Sequence, residues 1–216
     1  ADAVRELDRS TLRPASLLVL GQLDLAMGNG EAAASGLAEA IRWAIATGSE
    51  FYLVNCQTLL AERDLLAGHP EAARQRLEPL PDLTDAEVTL VLPVLAWAYR
   101  DQGELDRAEA FARQTAVLAT RREHRMALVE ALRISALVAL RQGRHREAAI
   151  ALDEALTLAA PFPYAEAKTL YVYGQVHEAT GDPKRAREAY QQALAICARL
   201  GERLYAEHIE RALAGL

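Results

Sequence analysis

The sequence lacks any apolar run long enough to cross a bilayer, and it has almost no cysteine. Its longest uncharged stretch, Val88 to Tyr99, is far shorter than the roughly 20 residues of a membrane helix. Cys56 and Cys197 are far apart in sequence and share no motif, so a disulfide between them is not expected. Both cysteines are predicted to be small buried residues in a reducing cytoplasm. No N-terminal segment combines a basic start with an apolar run, so no secretion signal is predicted. We therefore expect a cytoplasmic protein that does not contact membranes.

Lysine is also scarce. Only Lys168 and Lys184 are lysines among 24 basic residues, a bias typical of a GC-rich bacterial genome. The net charge is −6 and the pI is about 5.5, whereas nucleic-acid modules usually carry a basic face. The composition therefore argues against direct nucleic-acid binding by this chain.

Motifs that carry chemistry are missing as well. No phosphate-loop sequence is present, and Gly28-x-Gly30 lacks both a preceding strand and a third glycine, which favours a turn over a dinucleotide site. His177-Glu178 begins like a zinc-protease helix, but position 181 is glycine instead of the second histidine. No serine has the context of a nucleophile elbow. We expect no metal, no cofactor and no catalytic residue, and hence a protein that is not an enzyme.

What the sequence does contain is an internal repeat. β-Branched residues are sparse and no long strand-type alternation occurs, so the composition favours an all-α protein. Glycines recur at 28, 68, 103, 143 and 181. Their spacings (68 − 28, 103 − 68, 143 − 103 and 181 − 143) are 40, 35, 40 and 38 residues. Five residues after each glycine stands an alanine: Ala33, Ala73, Ala108, Ala148 and Ala186. Seven residues before each stands a glycine or alanine: Gly21, Ala61, Ala96, Ala136 and Gly174.

This pattern predicts stacked pairs of antiparallel helices. Glycine suits the turn within a pair because it adopts positive φ cheaply. Small residues at fixed positions let the paired helices approach closely. One pair cannot bury its apolar face alone, so successive pairs must stack into a solenoid.

The turn and cap residues set the predicted boundaries. Asp182-Pro183, Pro70 and the capping-box spacing of Thr84 to Glu87 each mark a helix start. First helices are predicted at 14–27, 50–67, 85–102, 124–142 and 164–180. Second helices are predicted at 31–47, 70–79, 104–121, 144–160 and 183–200. The repeats then span 14–48, 50–80, 85–122, 124–160 and 164–201, followed by a C-terminal capping helix within 202–216. Residues 1–13 are interpreted as the remnant of a preceding helix or a linker, which, with the missing initial Met, suggests a piece of a longer array.

The last repeat resembles the tetratricopeptide family. It contains Leu170-x-x-Tyr173-Gly174-x-x-His177 and then Gly181-Asp182-Pro183-x-x-Ala186, with Tyr190 and Ala193 following. The resemblance extends over nearly the whole chain and implies a right-handed α-solenoid of about five helix pairs with a C-terminal cap. The chain departs from the family in lacking an opening Trp and a late Pro, and its spacings exceed the usual 34 residues.

Repeats of this length are similar to the sensor arrays of large bacterial regulators of the maltose-activator type, which combine an ATPase with a LuxR-type helix-turn-helix. The phrases Gly68-His69-Pro70-Glu71-Ala72-Ala73-Arg74 and Arg199-Leu200-Gly201 carry this similarity. It implies a regulatory module that belongs to a larger signalling or transcription-regulatory protein. Neither the ATPase nor the DNA-binding module is present in this sequence.

In tetratricopeptide arrays the first helix of each pair lines the concave face, so the resemblance implies a ligand groove there. Positions ten, six and three residues before each turn glycine are expected to face it. The expected ligand-binding residues are Thr58, Glu62, Trp97, Arg100, Arg133, Tyr171, Gln175 and Glu178. Aromatic and arginine side chains are typical of binding hot spots. The alternative is that Trp97 merely packs between repeats.

Two functions are therefore weighed. The first is an interaction or ligand-sensing module that binds a protein, a peptide or a small effector on its concave face. The second is a stand-alone scaffold or assembly factor without an ATPase or DNA-binding partner domain. The oligomeric state stays open, with a homodimer through the end repeats as one alternative.

Overall fold

The computed structural model describes the backbone of residues 2–80 and 83–216, and the side chains of residues 13–80 and 83–216. All regular elements in these ranges are α-helices. They are α1 (Asp2–Ala26), α2 (Gly30–Thr47), α3 (Glu50–Leu66), α4 (Pro70–Leu77), α5 (Asp85–Asp101), α6 (Leu105–Arg121), α7 (Arg125–Arg141), α8 (His145–Ala159), α9 (Pro163–Ala179), α10 (Pro183–Leu200) and α11 (Leu204–Ala214). None of the described helices is long and apolar enough to span a membrane.

The helices form five successive pairs that stack as a right-handed α-solenoid, as predicted. Each pair turns at a glycine with positive φ, illustrated by Gly103 at 84°. The Gly103 N–H donates to the Arg100 carbonyl at 3.0 Å, and the Glu104 N–H donates to the Tyr99 carbonyl at 2.9 Å. These bonds satisfy carbonyls at the end of α5 that would otherwise lack partners.

The small residues allow the close packing that the repeat predicts. A Cβ placed on Gly174 would overlap the ring of Tyr190, and one on Gly21 would overlap the side chain of Leu37. The alanines five residues after the turn glycines are fully buried. The two helices of a pair therefore meet at positions where a larger side chain has no space.

The helix starts follow their capping residues. Thr84 forms the predicted capping box with Glu87, whose carboxylate accepts from the Thr84 N–H at 2.8 Å. Asp182 accepts from the Arg185 N–H at 3.0 Å, with Pro183 at the first helical position. Glu202 caps α11 by accepting from the Tyr205 N–H at 2.8 Å and from the Ala206 N–H at 3.2 Å.

The N-terminal helix differs from the prediction. A helix start at Pro14 was expected, whereas α1 runs from Asp2 to Ala26 with Pro14 inside it. Proline removes one backbone hydrogen bond but does not have to end a helix. Residue 13 is thus no helix boundary, and residues 2–13 form the first part of α1. Residue 1 lies outside the described residues.

The last helix returns to the first repeat. The Arg203 N–H donates to the carbonyl of Ala26 at the end of α1, and Leu204 packs against the apolar cluster of α1, α2 and α3. Tyr205 and Ile209 of α11 are fully buried in the main core, which extends from α3 to α11. As a consequence, α11 closes the solenoid across its concave face, a role beyond the simple cap predicted.

Candidate ligand-binding site on the concave face

The first helices of the pairs (α1, α3, α5, α7 and α9) form the concave face, and a central ion network joins three of them. Lys168 Nζ lies 2.9 Å from both Glu62 Oε1 and Glu130 Oε1. Arg133 donates from Nε and Nη2 to Glu130 Oε2 at 3.0 and 2.7 Å. The network therefore links α3, α7 and α9, although Glu62 and Lys168 are 106 residues apart in sequence.

The network keeps its carboxylates ionised despite their burial. Burial alone would raise the pKa of Glu130, but Arg133 and Lys168 outweigh it and lower that pKa to about 2. The pKa of Glu62 is also lowered, because Lys168 overcomes the opposing effects of burial and of Glu130. Both cations are more deeply buried, with side-chain exposures of 7% for Lys168 and 4% for Arg133, against 20% for Glu62 and 21% for Glu130.

Tyr205 extends from α11 into this network. Its hydroxyl donates to Glu62 Oε1 at 2.6 Å, and Lys168 Nζ lies 5.3 Å from the centre of its ring. The ring meets Tyr164 and Tyr171 edge to face, with centroid distances of 5.8 and 6.5 Å. Together, Tyr205 and the ion network divide the concave face into two cavities.

The larger of these two concave cavities, called the larger cavity below, has a volume of about 380 Å³. It lies toward the N-terminal ends of the first helices. Glu62, Glu130, Arg133 and Lys168 form its charged floor. Its walls are largely apolar and include Leu59, Leu90, Pro93, Val94, Trp97, Met126 and Tyr164, with Thr58, Thr89, Asn55 and His124 supplying polar groups.

The smaller cavity, of about 160 Å³, lies on the other side of Tyr205, toward the C-terminal ends of the first helices. It is lined by Leu65, Leu66, Trp97, Arg100, Asp101, Arg133, Leu137, Tyr171, Val172, Gln175, Tyr205 and His208.

A third cavity, of about 390 Å³, lies where the ends of the solenoid meet. Val19 and Leu23 of α1 face Leu200 and Leu204 across it, and these four side chains make it strongly apolar. It shares Gln22, Glu62 and Tyr164 with the larger cavity and adds Glu202. Because it brings fewer polar groups of its own to orient a ligand, it is the weaker candidate.

The predicted site residues are distributed over the two concave cavities. Thr58, Glu62, Trp97 and Arg133 line the larger one, and Trp97, Arg100, Arg133, Tyr171 and Gln175 line the smaller one. Glu178 lies apart from both and accepts a hydrogen bond from the Tyr190 hydroxyl at 2.6 Å. Trp97 also packs in the core, with 7% exposure. Ligand binding by these residues stays a prediction.

Several cavity residues were missed by the sequence reasoning although a signal for some existed. Glu130 and Lys168 each stand thirteen residues before a turn glycine (143 − 130 and 181 − 168). That position lies one helical turn beyond the predicted stripe, which ends ten residues before the glycine. Met126 and Tyr164 continue the stripe by another turn (143 − 126 and 181 − 164). Lys168 is also one of only two lysines in an arginine-rich chain, but the composition of a GC-rich genome accounts for that scarcity without indicating a site.

The described side chains contain no group of three or more His, Cys, Asp or Glu residues that could hold a metal ion. Both cysteines are buried and unpaired, and burial raises the pKa of the Cys56 thiol to about 11. Such thiols are poor nucleophiles at neutral pH. The described side chains of the concave face form hydrogen bonds, ion pairs and aromatic contacts with one another.

Comparisons with known proteins agree with this architecture. A family model described as tetratricopeptide repeat matches residues 128–199, and a second with the same description matches residues 54–79 and 94–114. No curated protein sequence matches the chain.

Two solved structures are similar in fold. One is a putative kinesin light chain of Podospora anserina with nearly identical TPR-like repeats, at 19% identity and a TM-score of 0.56, covering 88% of this chain and 96% of that one. The other is BtubC (BKLC) of P. vanneervenii, at 14% identity and a TM-score of 0.53, covering 100% of this chain and 83% of that one. At these identities the likeness concerns the fold alone. The chain is a solenoid of stacked helix pairs that carries tetratricopeptide repeats at residues 54–79, 94–114 and 128–199.

Proposed function

We propose that this chain is an interaction module that binds its partner in the larger concave cavity. Tetratricopeptide repeats build protein–protein interaction scaffolds, and the concave face carries the polar and aromatic groups that a binding site needs. The repeat architecture therefore supports the general role, and the cavity supports its location.

The observation that carries the proposal is the closure of the concave face by α11. Tyr205 bonds to Glu62 across the middle of the face, so a long helical or extended segment cannot run through it. A cavity of about 380 Å³ remains open beside it. That volume accommodates one or two inserted side chains, a peptide end or a small effector.

The charges of the cavity favour a cationic group. Glu62 and Glu130 are partly exposed, whereas their partners Arg133 and Lys168 are almost fully covered. Trp97 and Tyr164 add aromatic surface, although Arg133 and Lys168 already lie 5.2 and 5.5 Å from the centres of their rings. The proposed ligand is a partner segment that inserts a lysine or arginine side chain flanked by apolar residues.

A sensing role for a small effector is the second candidate, because the cavity volume lies within the usual range for small-molecule sites. In that role the chain would report occupancy to an attached effector domain. A reading frame that continues into a phosphate-loop or helix-turn-helix module would favour this regulatory role over a stand-alone scaffold.

The test is selection of peptides from a random displayed library, followed by affinity measurement by fluorescence anisotropy. Leu90 lines the larger cavity and is 38% exposed, so Leu90→Trp should obstruct it without disturbing the core. We expect selected peptides to be enriched in lysine or arginine, and Leu90→Trp to weaken binding by about tenfold or more, a loss of about 1.4 kcal/mol.

The matched control is Val117→Trp, at a position that is 53% exposed on α6 and lines none of the cavities described. It should bind within about twofold of the wild type. Peptides without basic residues, or equal affinities for the Leu90→Trp and wild-type chains, would show that the ligand does not enter the larger cavity.

A further inference from the structure

The smaller cavity gathers nitrogen-bearing polar side chains from four separate helices. Arg100 comes from α5, Arg133 from α7, Gln175 from α9 and His208 from α11. Three of these helices belong to the repeats, whereas α11 does not. A ligand held by this set would therefore contact both the repeats and the closing helix.

Arg100 is incompletely satisfied in this position. Its side chain is only 14% exposed, and its Nε is buried without a hydrogen-bond partner. Its single ion pair in the described part of the chain is with its neighbour Asp101. A buried donor without a partner is costly, so a change of the Arg100 side-chain conformation that brings Nε to an acceptor on a ligand would be favourable.

A second guanidinium lies close by. Arg100 and Arg133 both lie against the indole of Trp97, at 6.0 and 5.2 Å from the centre of the ring. Burial, and to a smaller extent the charge of Arg133, lower the pKa of Arg100, while Asp101 opposes them. Each guanidinium already has one carboxylate partner, Asp101 for Arg100 and Glu130 for Arg133. An anion between the two guanidiniums would give each of them a second partner.

The α11 side adds the imidazole of His208 and, against that ring, a further cation outside the cavity lining. Arg211 Nη2 lies 2.8 Å from Nδ1 and 3.3 Å from Nε2 of His208. No carboxylate of the described side chains lies within ion-pair distance of Arg211. Tyr171, whose pKa is raised by burial, stays a neutral hydroxyl beside Gln175.

We propose that the smaller cavity binds a phosphoryl group, which fastens α11 to the concave face. Arg100, Arg133 and Gln175 bring donors from three helices to the space, so a ligand must offer acceptors on several sides. A tetrahedral phosphate does so with four oxygens, whereas a carboxylate offers two in one plane. Arginine guanidiniums also match phosphate oxygens in pairs. The two cavities share Trp97 and Arg133 in their linings, but this proposal does not depend on the function proposed for the larger cavity.

The first experiment measures Tm of the full chain with inorganic phosphate, sulfate or acetate at constant ionic strength. At a hundredfold excess over Kd, phosphate should raise Tm by roughly 5 °C in a saturable manner, and acetate should not. Arg100→Gln should abolish the rise. The matched control Arg113→Gln, an arginine 74% exposed on α6, should retain it. An equal rise with acetate, or a phosphate rise that persists in Arg100→Gln, would overturn the assignment.

A second measurement covers the case in which Arg100→Gln is poorly folded. In the wild-type chain, inorganic phosphate should shift the NMR resonances of the His208 ring, while the exposed His69 ring serves as an internal control. Equal shifts of both rings, or none at His208, would contradict the site. A phosphomonoester such as phenyl phosphate, compared with inorganic phosphate, shows whether the group binds free or esterified. These readouts use no peptide, so their failure is distinct from failure of the peptide selection.

Discussion

At the scale of single residues, Lys168 is the central group of the ion network. It is 93% covered by its surroundings and bridges two carboxylates from different helices. Removing one partner of a buried ion network leaves the others charged and unpaired, which costs more than the network itself contributes. The second lysine, Lys184, is exposed on α10 and provides a natural comparison.

We predict that Lys168→Met lowers the free energy of unfolding by about 3 to 5 kcal/mol. Glu62 and Glu130 would then repel each other without the intervening ammonium. Urea unfolding followed by circular dichroism measures the loss, and Lys184→Met should change stability by less than about 0.5 kcal/mol. A loss below about 1 kcal/mol for Lys168→Met would mean that the network is weak in solution.

At the scale of elements, the helix boundaries were predictable and the position of α11 was not. Turn glycines, Thr84 and Asp182-Pro183 act locally, so the predicted ends of α2 to α10 lie within about two residues of the observed ones. The concave stripe also followed from the repeat, which brought Trp97, Arg133 and Tyr171 to the cavities. Tyr205 belongs to no repeat, so nothing in the sequence indicated its bond to Glu62, 143 residues away.

The attachment of α11 leads to a prediction for Tyr205→Phe. The substitution keeps the ring but removes the hydroxyl that donates to the Glu62 carboxylate, a bond to a charged group worth about 1.5 to 3 kcal/mol. Amide hydrogens of α11 should exchange about tenfold faster or more, with little change in α7. Tyr173→Phe loses only an exposed bond to Asp153 at 2.8 Å and should leave α11 unchanged. Exchange that increases uniformly over all helices would contradict a local role.

At the scale of the whole molecule, the closed solenoid should depend on pH. The pKa of Glu130 is about 2 in the folded chain, below its ordinary value of 4.5. A depressed pKa stabilises the folded state above the ordinary value, and this contribution is lost as pH falls from about 4.5 toward 2. Glu62, whose pKa is also lowered, acts in the same direction.

Acid should therefore loosen the closure between the two ends. We expect the radius of gyration from small-angle scattering to stay constant between pH 7 and pH 5 and to increase below about pH 4.5. Glu130→Gln should show a weaker increase, because a neutral amide does not titrate. An unchanged radius down to pH 2 would show that apolar contacts of Tyr205 and Ile209 suffice for closure.

The return of α11 to the first repeat also affects how the protein forms. An open array can complete each repeat as it leaves the ribosome, since every repeat contacts only its neighbours. Here the partners of Glu62, which are Lys168 and Tyr205, are synthesised long after Glu62 itself. The concave face of the nascent chain therefore stays uncovered until α11 has emerged. During that interval a chaperone or a partner can reach surfaces that the finished protein covers.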